Sequence, residues 1–349
     1  MTALGSLRLT RTHFSCPACD LGGYLVDDRL GIAGRLTRRA EQMITLAGVH
    51  QSFRHGTTLL EQLTGWSVSY EIVRQVCYTQ ADELARQREA TAPEVEAFQE
   101  AAGQMEFQTD ATTVNTLDGW RDMKIGIFAK REEGEPATIQ EWHTRHLPAP
   151  TARLAFAGIA EIDQFAKQWW PWAEQLGLGE ERLSVLGDGA GWIWDHSELA
   201  FPHLQGVLDI YHASEHLSGA AKLACGEGTE QAARWLKESR LALLGDGYLG
   251  LCEYVATSAE WVPNRTALEG ATGELLNYFR GHQDRLKYAL RLRRGQAIGS
   301  GMVEGAAKQM IGRRMKQTAA EWDVDNANRM ALLCSLVYAD SLTLYFTAA

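Results

Sequence analysis

Asp110, Asp188 and Glu304 are the residues of this chain whose settings best suit a divalent-metal site. Asp110 closes the apolar run of "MEFQTDATTVN", and Asp188 follows the apolar run of "SVLGDGAGWIW". Each is read as ending a β-strand. If the two strands are neighbours, both carboxylates leave the same sheet edge, where open α/β sheets place their ligand crevice. Two carboxylates held close repel each other unless a cation neutralises them. Mg²⁺ commonly takes one or two carboxylates plus phosphate oxygens. On this reading Gly187, Gly189 and Ala190 leave room for a phosphate backbone to approach Asp188.

The third acid is expected from a helix in "GSGMVEGAAKQMIGRRMK". Ser300 is the predicted cap, with Glu304 in the first turn, where negative charge is favoured. Val303, Ala306, Ala307, Met310 and Ile311 form an apolar stripe that docks this helix. Lys308 and Arg313 then reach outward toward phosphates. The plainer reading of Glu304 is a surface glutamate paired to Lys308 one turn on.

"LDIYHASEHL" adds Asp209 and His212 as auxiliary residues that would touch a nucleic acid or orient the scissile phosphate. Alternatively, Asp209 caps the following helix and His212 bonds locally. Glu215 and His216 match no familiar zinc spacing. Cys16 and Cys19 form a CxxC, half of a tetrahedral zinc site or a turn with two structural thiols. His13 and His50 would complete that site only if folding brought them in.

Charge distribution points toward a polyanionic partner. The chain of 349 residues carries a net charge of -10. Residues 280–317 hold ten Lys/Arg against two acids, a net of +8, so the remainder is at -18. One basic segment on an acidic body is a candidate phosphate-contacting surface, with Lys308, Arg313, Arg314 and Lys316 as its contacts. Composition, 45% hydrophobic and 22% charged, is that of a globular protein. No run of 18 apolar residues suggests a membrane span, and the first residues do not read as a signal peptide. Six cysteines do not read as a disulfide scaffold, so a reduced, cytoplasmic protein is expected.

These residues need elements to hold them. Residues 5–14 alternate like a short half-exposed strand. Residues 37–88 read as helices with a helix-turn-helix-like layout, the turn at "TGWS", Gly65 as breaker and Ser67 or Ser69 as cap. The second helix of the motif would offer Ser69, Tyr70, Glu71 and Arg74, with Arg74 as the DNA contact. An acidic stretch then leads to three hairpin-linked strands, "MEFQTDATTVN", "WRDMKIGIFAKR" and "ATIQEWHTRHL". A helix kinked or restarted at Pro171, the strand "RLSVLGD", the helix "AGWIWDHSELAF" and the strand "LQGVLDIY" complete a mixed α/β layer. From 212 to about 292 the strand signals vanish; "IGSGMVEGAAKQMIGRRMK" and a closing helix from about Asp323 to Tyr345 follow. The expected parts are 1–36, a short β/CxxC segment; 37–102, helical; 103–212, the first part of an α/β core; 213–297, a helical insertion; and 298–349, its C-terminal helices.

Four motifs, "DATTVN" with "GWRDMKIG", "VLGDGAGWIW", "DIYHASEHL" and "IGSGMVEGAAKQMIGRRMK", carry a resemblance that runs through nearly the whole chain. The chain resembles the ISKra4 family of bacterial insertion-sequence transposases, related in layout to Mutator-like elements. The resemblance places the DDE trio on Asp110, Asp188 and Glu304, and an aspartate-two-residues-histidine motif on Asp209 and His212. Ala111 stands where the family has Gly, and "VEGAAKQ" where "VESACKQ" is usual. It implies an RNase H-like core interrupted by a helical insertion. It also implies two Mg²⁺ ions, replaceable by Mn²⁺, roughly 3.5–4 Å apart, with double-stranded DNA as partner and a homo-oligomer on that DNA, at the bacterial nucleoid. The alternatives are an RNase H-like structure-specific nuclease and a silent, domesticated copy acting as a DNA-binding regulator.

Overall fold

The structure is a computed structural model; it describes residues 1–347 apart from 4, 6, 20, 31, 34, 91 and 179–181. Helices α1 (Arg38–His50), α2 (Phe53–Thr64), α3 (Tyr70–Ala90) and α4 (Pro93–Glu100) precede a five-stranded sheet. Its strands are β1 (Gln104–Thr116), β2 (Gly119–Arg131), β3 (Ala152–Ile159), β4 (Leu183–Gly187) and β5 (Leu204–Leu208). Their spatial order is β3-β2-β1-β4-β5. The first three strands pair antiparallel, whereas β4 and β5 run parallel to β1. The fold is therefore mixed α/β.

Both faces of the sheet are covered, because side chains alternate along each strand. Phe107, Phe128, Leu154 and Phe156 face one core, built with Phe165, Trp169 and the helices that flank and follow β4. Those are α5 (Trp169–Gln175), α6 (Gly191–Ala200), α7 (Ile210–Cys225), α8 (Glu230–Ser258), α9 (Arg265–Gly281) and α10 (Tyr288–Arg293). Val114, Met123, Ile125, Ile127 and Ala155 face a second core. It is closed by α1–α3 and by α11 (Gly301–Ala306), α12 (Val324–Tyr338) and α13 (Leu342–Thr347). The helix-turn-helix-like segment thus shares a core with the sheet. Gly65 ends α2 at φ +71, and Ser69 Oγ accepts from Ile72 N–H to start α3.

Several expectations change. The stretch "ATIQEWHTRHL" is not a strand: Thr138 bonds the Glu141 carboxylate through N–H and Oγ, which closes a local turn. The third strand is "ARLAFAGI", whose continuous apolar run faces both cores and so shows no alternation. Among the described residues of the predicted N-terminal strand, 5–14, a strand is found at Phe14 alone, which with Ser15 pairs with Gly22–Gly23. The helix around Pro171 does restart, as Ile162–Ala166 followed by α5. Among the described residues, 210–297 hold helices and no strand; α8 kinks at Asp246 and Gly247. The closing helix is two helices, broken where Asp340 takes φ +58. No helix among the described residues is long and apolar enough to cross a membrane.

Candidate functional site

The parallel strands bring the aspartates together. Glu106, Phe107 and Gln108 of β1 face Ser184, Val185 and Leu186 of β4, so two residues further Asp110 stands opposite Asp188. Gly187 faces Leu208 of β5, which sets Asp209 beside Asp188, and Asp209 N–H donates to Gly187 O at 2.8 Å. Asp110 does not end its strand. β1 runs on to Thr116 because its antiparallel partner β2 is longer than β4, so only the parallel pairing stops near Asp110.

α11 arrives on the Asp110 side. Val303 N–H donates to Gln108 Oε1 at 3.1 Å, which docks the helix two residues from Asp110. Val303, Ala306, Met310 and Ile311 are buried as the stripe requires, while Ala307 is half-buried. Beyond Ala306 the helix widens into a π-turn, Ala307–Gly312, before Arg313–Met315. Ser300 does not cap α11 through its side chain. Its Oγ and N–H both donate to Asp209 Oδ2.

Burial raises the Asp110 carboxyl above its ordinary value. The Ala111 N–H bond opposes this, while the charges of Asp188 and Glu304 push further upward and His212 pulls back. The four side chains therefore share one electrostatic neighbourhood. Asp110 Oδ1 accepts from Ala111 N–H and Asp188 Oδ1 from Ala190 N–H. Among the described residues the second oxygen of each has no hydrogen-bond donor.

Glu304 is exposed, and its Oε1 accepts from Lys308 Nζ at 2.7 Å, the i,i+4 pair. Asp209 is buried and acts as a clamp: Oδ1 caps α7 at Tyr211 and His212 N–H, and Oδ2 holds Ser300. Its place is structural, joining β5, α7 and the start of α11. His212 Nδ1 lies 3.5 Å from Glu215 Oε2, and its ring stands 5.1 Å from His216.

Other sequence assignments resolve differently. Gly189 is small because Tyr278 sits against it: an added Cβ would lie 2.2 Å from the Tyr278 hydroxyl. Gly187 likewise packs against Ile193. Neither glycine opens space for a phosphate. Arg314 is buried, with Nε donating to Gly48 O at 2.7 Å and the guanidinium over Phe53 and Trp322. It is out of reach of a duplex lying on the surface. Lys308 and Arg313 are exposed; Lys316 is exposed and bonds Thr112 Oγ1 on β1. Arg74 is exposed but paired with Glu71. Cys16 and Cys19 are free thiols. Among the described residues no group of three or more His, Cys, Asp or Glu side chains is placed to hold a metal ion.

No protein-family model matches the chain, and no curated protein matches it.

Tyr278, His216 and His282, all from the helical segment or its start, also converge on Asp188. His216 stacks on Tyr278 with ring centres 4.1 Å apart, and His282 lies 4.9 Å from Tyr278. Burial raises the Tyr278 phenol and lowers both imidazoles. Sequence reasoning noted His216 for its spacing and missed the other two. Their only signal is an aromatic and a histidine four residues apart on one helical face.

Proposed function

We propose that this chain is a DDE-type DNA transposase with an RNase H-like core, acting by metal-assisted phosphoryl transfer. The observation that carries the reading is the parallel register of β1 and β4, which sets Asp110 on β1 level with Asp188 just past the end of β4, each with one undonated carboxylate oxygen, beside the helix that bears Glu304. Half-buried acids left without a cationic partner are costly unless function retains them. The strand order and directions, with β2 antiparallel and the acids on β1 and next to β4, also fit an RNase H-like layout.

The donors suit a hard divalent ion, since they are carboxylate oxygens with free lone pairs. Asp110 and Asp188 would hold Mg²⁺ or Mn²⁺, and Glu304 would join them on exchanging Lys308 for the metal. Such ions activate an attacking oxygen and stabilise a leaving one on phosphorus. The residues of the chain do the remaining work. The Asp209 clamp fixes where α11 begins and so where Glu304 stands. Lys308, Arg313 and Lys316 supply positive charge on the same segment for DNA phosphates.

The test is cleavage of labelled element-end DNA by the full chain with Mg²⁺ or Mn²⁺. Asp110→Asn and Glu304→Gln are each expected to lower cleavage about 10³-fold or more, roughly 4 kcal/mol of transition-state stabilisation, with duplex binding retained. Wild-type cleavage by Glu304→Gln would remove Glu304 from the site and with it the three-acid reading.

A further inference from the structure

A second site lies in the core on the Asp110 face. A cavity of about 540 Å³ opens between α1, the 309–314 segment, α12 and the start of α13. Three guanidinium groups line it, Arg153, Arg313 and Arg314, against one carboxylate, Asp340. His50, Gln309, Tyr338 and Thr343 complete its polar wall, and the rest is largely apolar, with Leu46, Val49 and Met310.

Its arginines are short of partners. Arg314 is 5% exposed, yet its Nη2 has no hydrogen-bond partner. Arg153 Nε is also buried and unpartnered, with its guanidinium over the Tyr338 ring at 5.3 Å. Arg313 makes no ion pair among the described residues. Arg314 forms no ion pair with a carboxylate among the described residues. An unpaired buried guanidinium is expensive, and a planar fork of donors matches phosphate oxygens. We propose that this cavity binds a phosphate monoester. Its phosphate meets the three arginines, and its organic body lies on the apolar wall.

The experiment uses the full-length protein without divalent metal. Inorganic phosphate and phenyl phosphate are titrated by calorimetry and thermal shift, with ionic strength held constant by sodium chloride. Both are expected to bind and raise the melting temperature, phenyl phosphate the more tightly. Arg313→Ala, an exposed position that leaves the core intact, should weaken both about tenfold or more, and Arg153→Gln should do the same. Asp110→Asn should bind them as wild type does, which separates this site from the acid edge. The proposal is overturned if neither compound binds, or if both arginine variants bind with unchanged Kd. It is equally overturned if Asp110→Asn abolishes binding, or if Arg313→Ala weakens only the affinity for a DNA duplex.

Discussion

Buried and half-buried charge is handled in two ways in this molecule. Where α3, α4, β3 and α13 meet, Arg88 Nε donates to Glu94 Oε1 at 2.7 Å, Arg88 Nη2 to Ala155 O at 2.9 Å, and the Tyr345 hydroxyl to Glu94 Oε2. Arg131 and Glu106 form a second buried pair at 3.2 Å. At the sheet edge, Asp110 and Asp188 face each other with no such cation, and in the cavity Arg153 and Arg314 lack an acid. A network with every partner present locks elements together. Carboxylates or guanidiniums left open are where a ligand supplies the missing charge.

The sharpest way to break this contrast is to unpair a complete network. Glu94→Gln strands the Arg88 charge among buried groups, and is expected to lower unfolding free energy by about 3–5 kcal/mol in denaturant melts. A loss below about 1 kcal/mol would make the network as incomplete as the acid edge. Asp209→Ala comes next. It removes the α7 cap and both bonds to Ser300, for a loss of about 2 kcal/mol. If Asp209 serves only as a cap and clamp, Asp209→Asn should recover much of that stability.

Asp110→Asn should act in the opposite direction, because the open edge strains the fold. The Asp110 carboxyl is raised by burial and by Asp188 and Glu304, so the folded state holds its proton more tightly than the unfolded chain does. Stability therefore falls as pH rises from the unfolded value through the folded one, and the penalty persists above it. The variant is expected to melt higher than wild type at neutral pH. Its advantage should disappear on acidification through that window, and in wild type Mg²⁺ should offset the same penalty. Equal melting of the two proteins at neutral pH would deny the edge its uncompensated charge. The smallest effect is predicted for Lys308→Ala. Its pair with Glu304 is exposed on both sides, so stability should change by no more than about 0.5 kcal/mol. By freeing Glu304, the change should tighten Mg²⁺ binding in calorimetry; weaker binding would speak against Glu304 as a ligand.

Local signals carried much of this molecule. Asp110 and Asp188 stood out because each follows an apolar run, and Gly65 and Ser69 marked a real helical turn since capping is a property of a few adjacent residues. The helical character of 213–297 and a break in the helix around Pro171 were legible for the same reason, whereas Ile210 and Tyr211, read as strand, open a helix. Long-range partners decided the rest. "ARLAFAGI" became a strand because two cores cover it, and "ATIQEWHTRHL" became a turn because Thr138 and Glu141 bond each other first. The identical label "basic segment" covered an exposed Arg313 and a buried Arg314, one residue apart, since burial depends on which neighbour a helix meets. Residue type and spacing determined which acids could meet. Only the parallel register of three strands aligned Asp110, Asp188 and Asp209, and only the contact with Ser300 turned Asp209 into a clamp, because such pairings are set by elements that lie far apart in the chain.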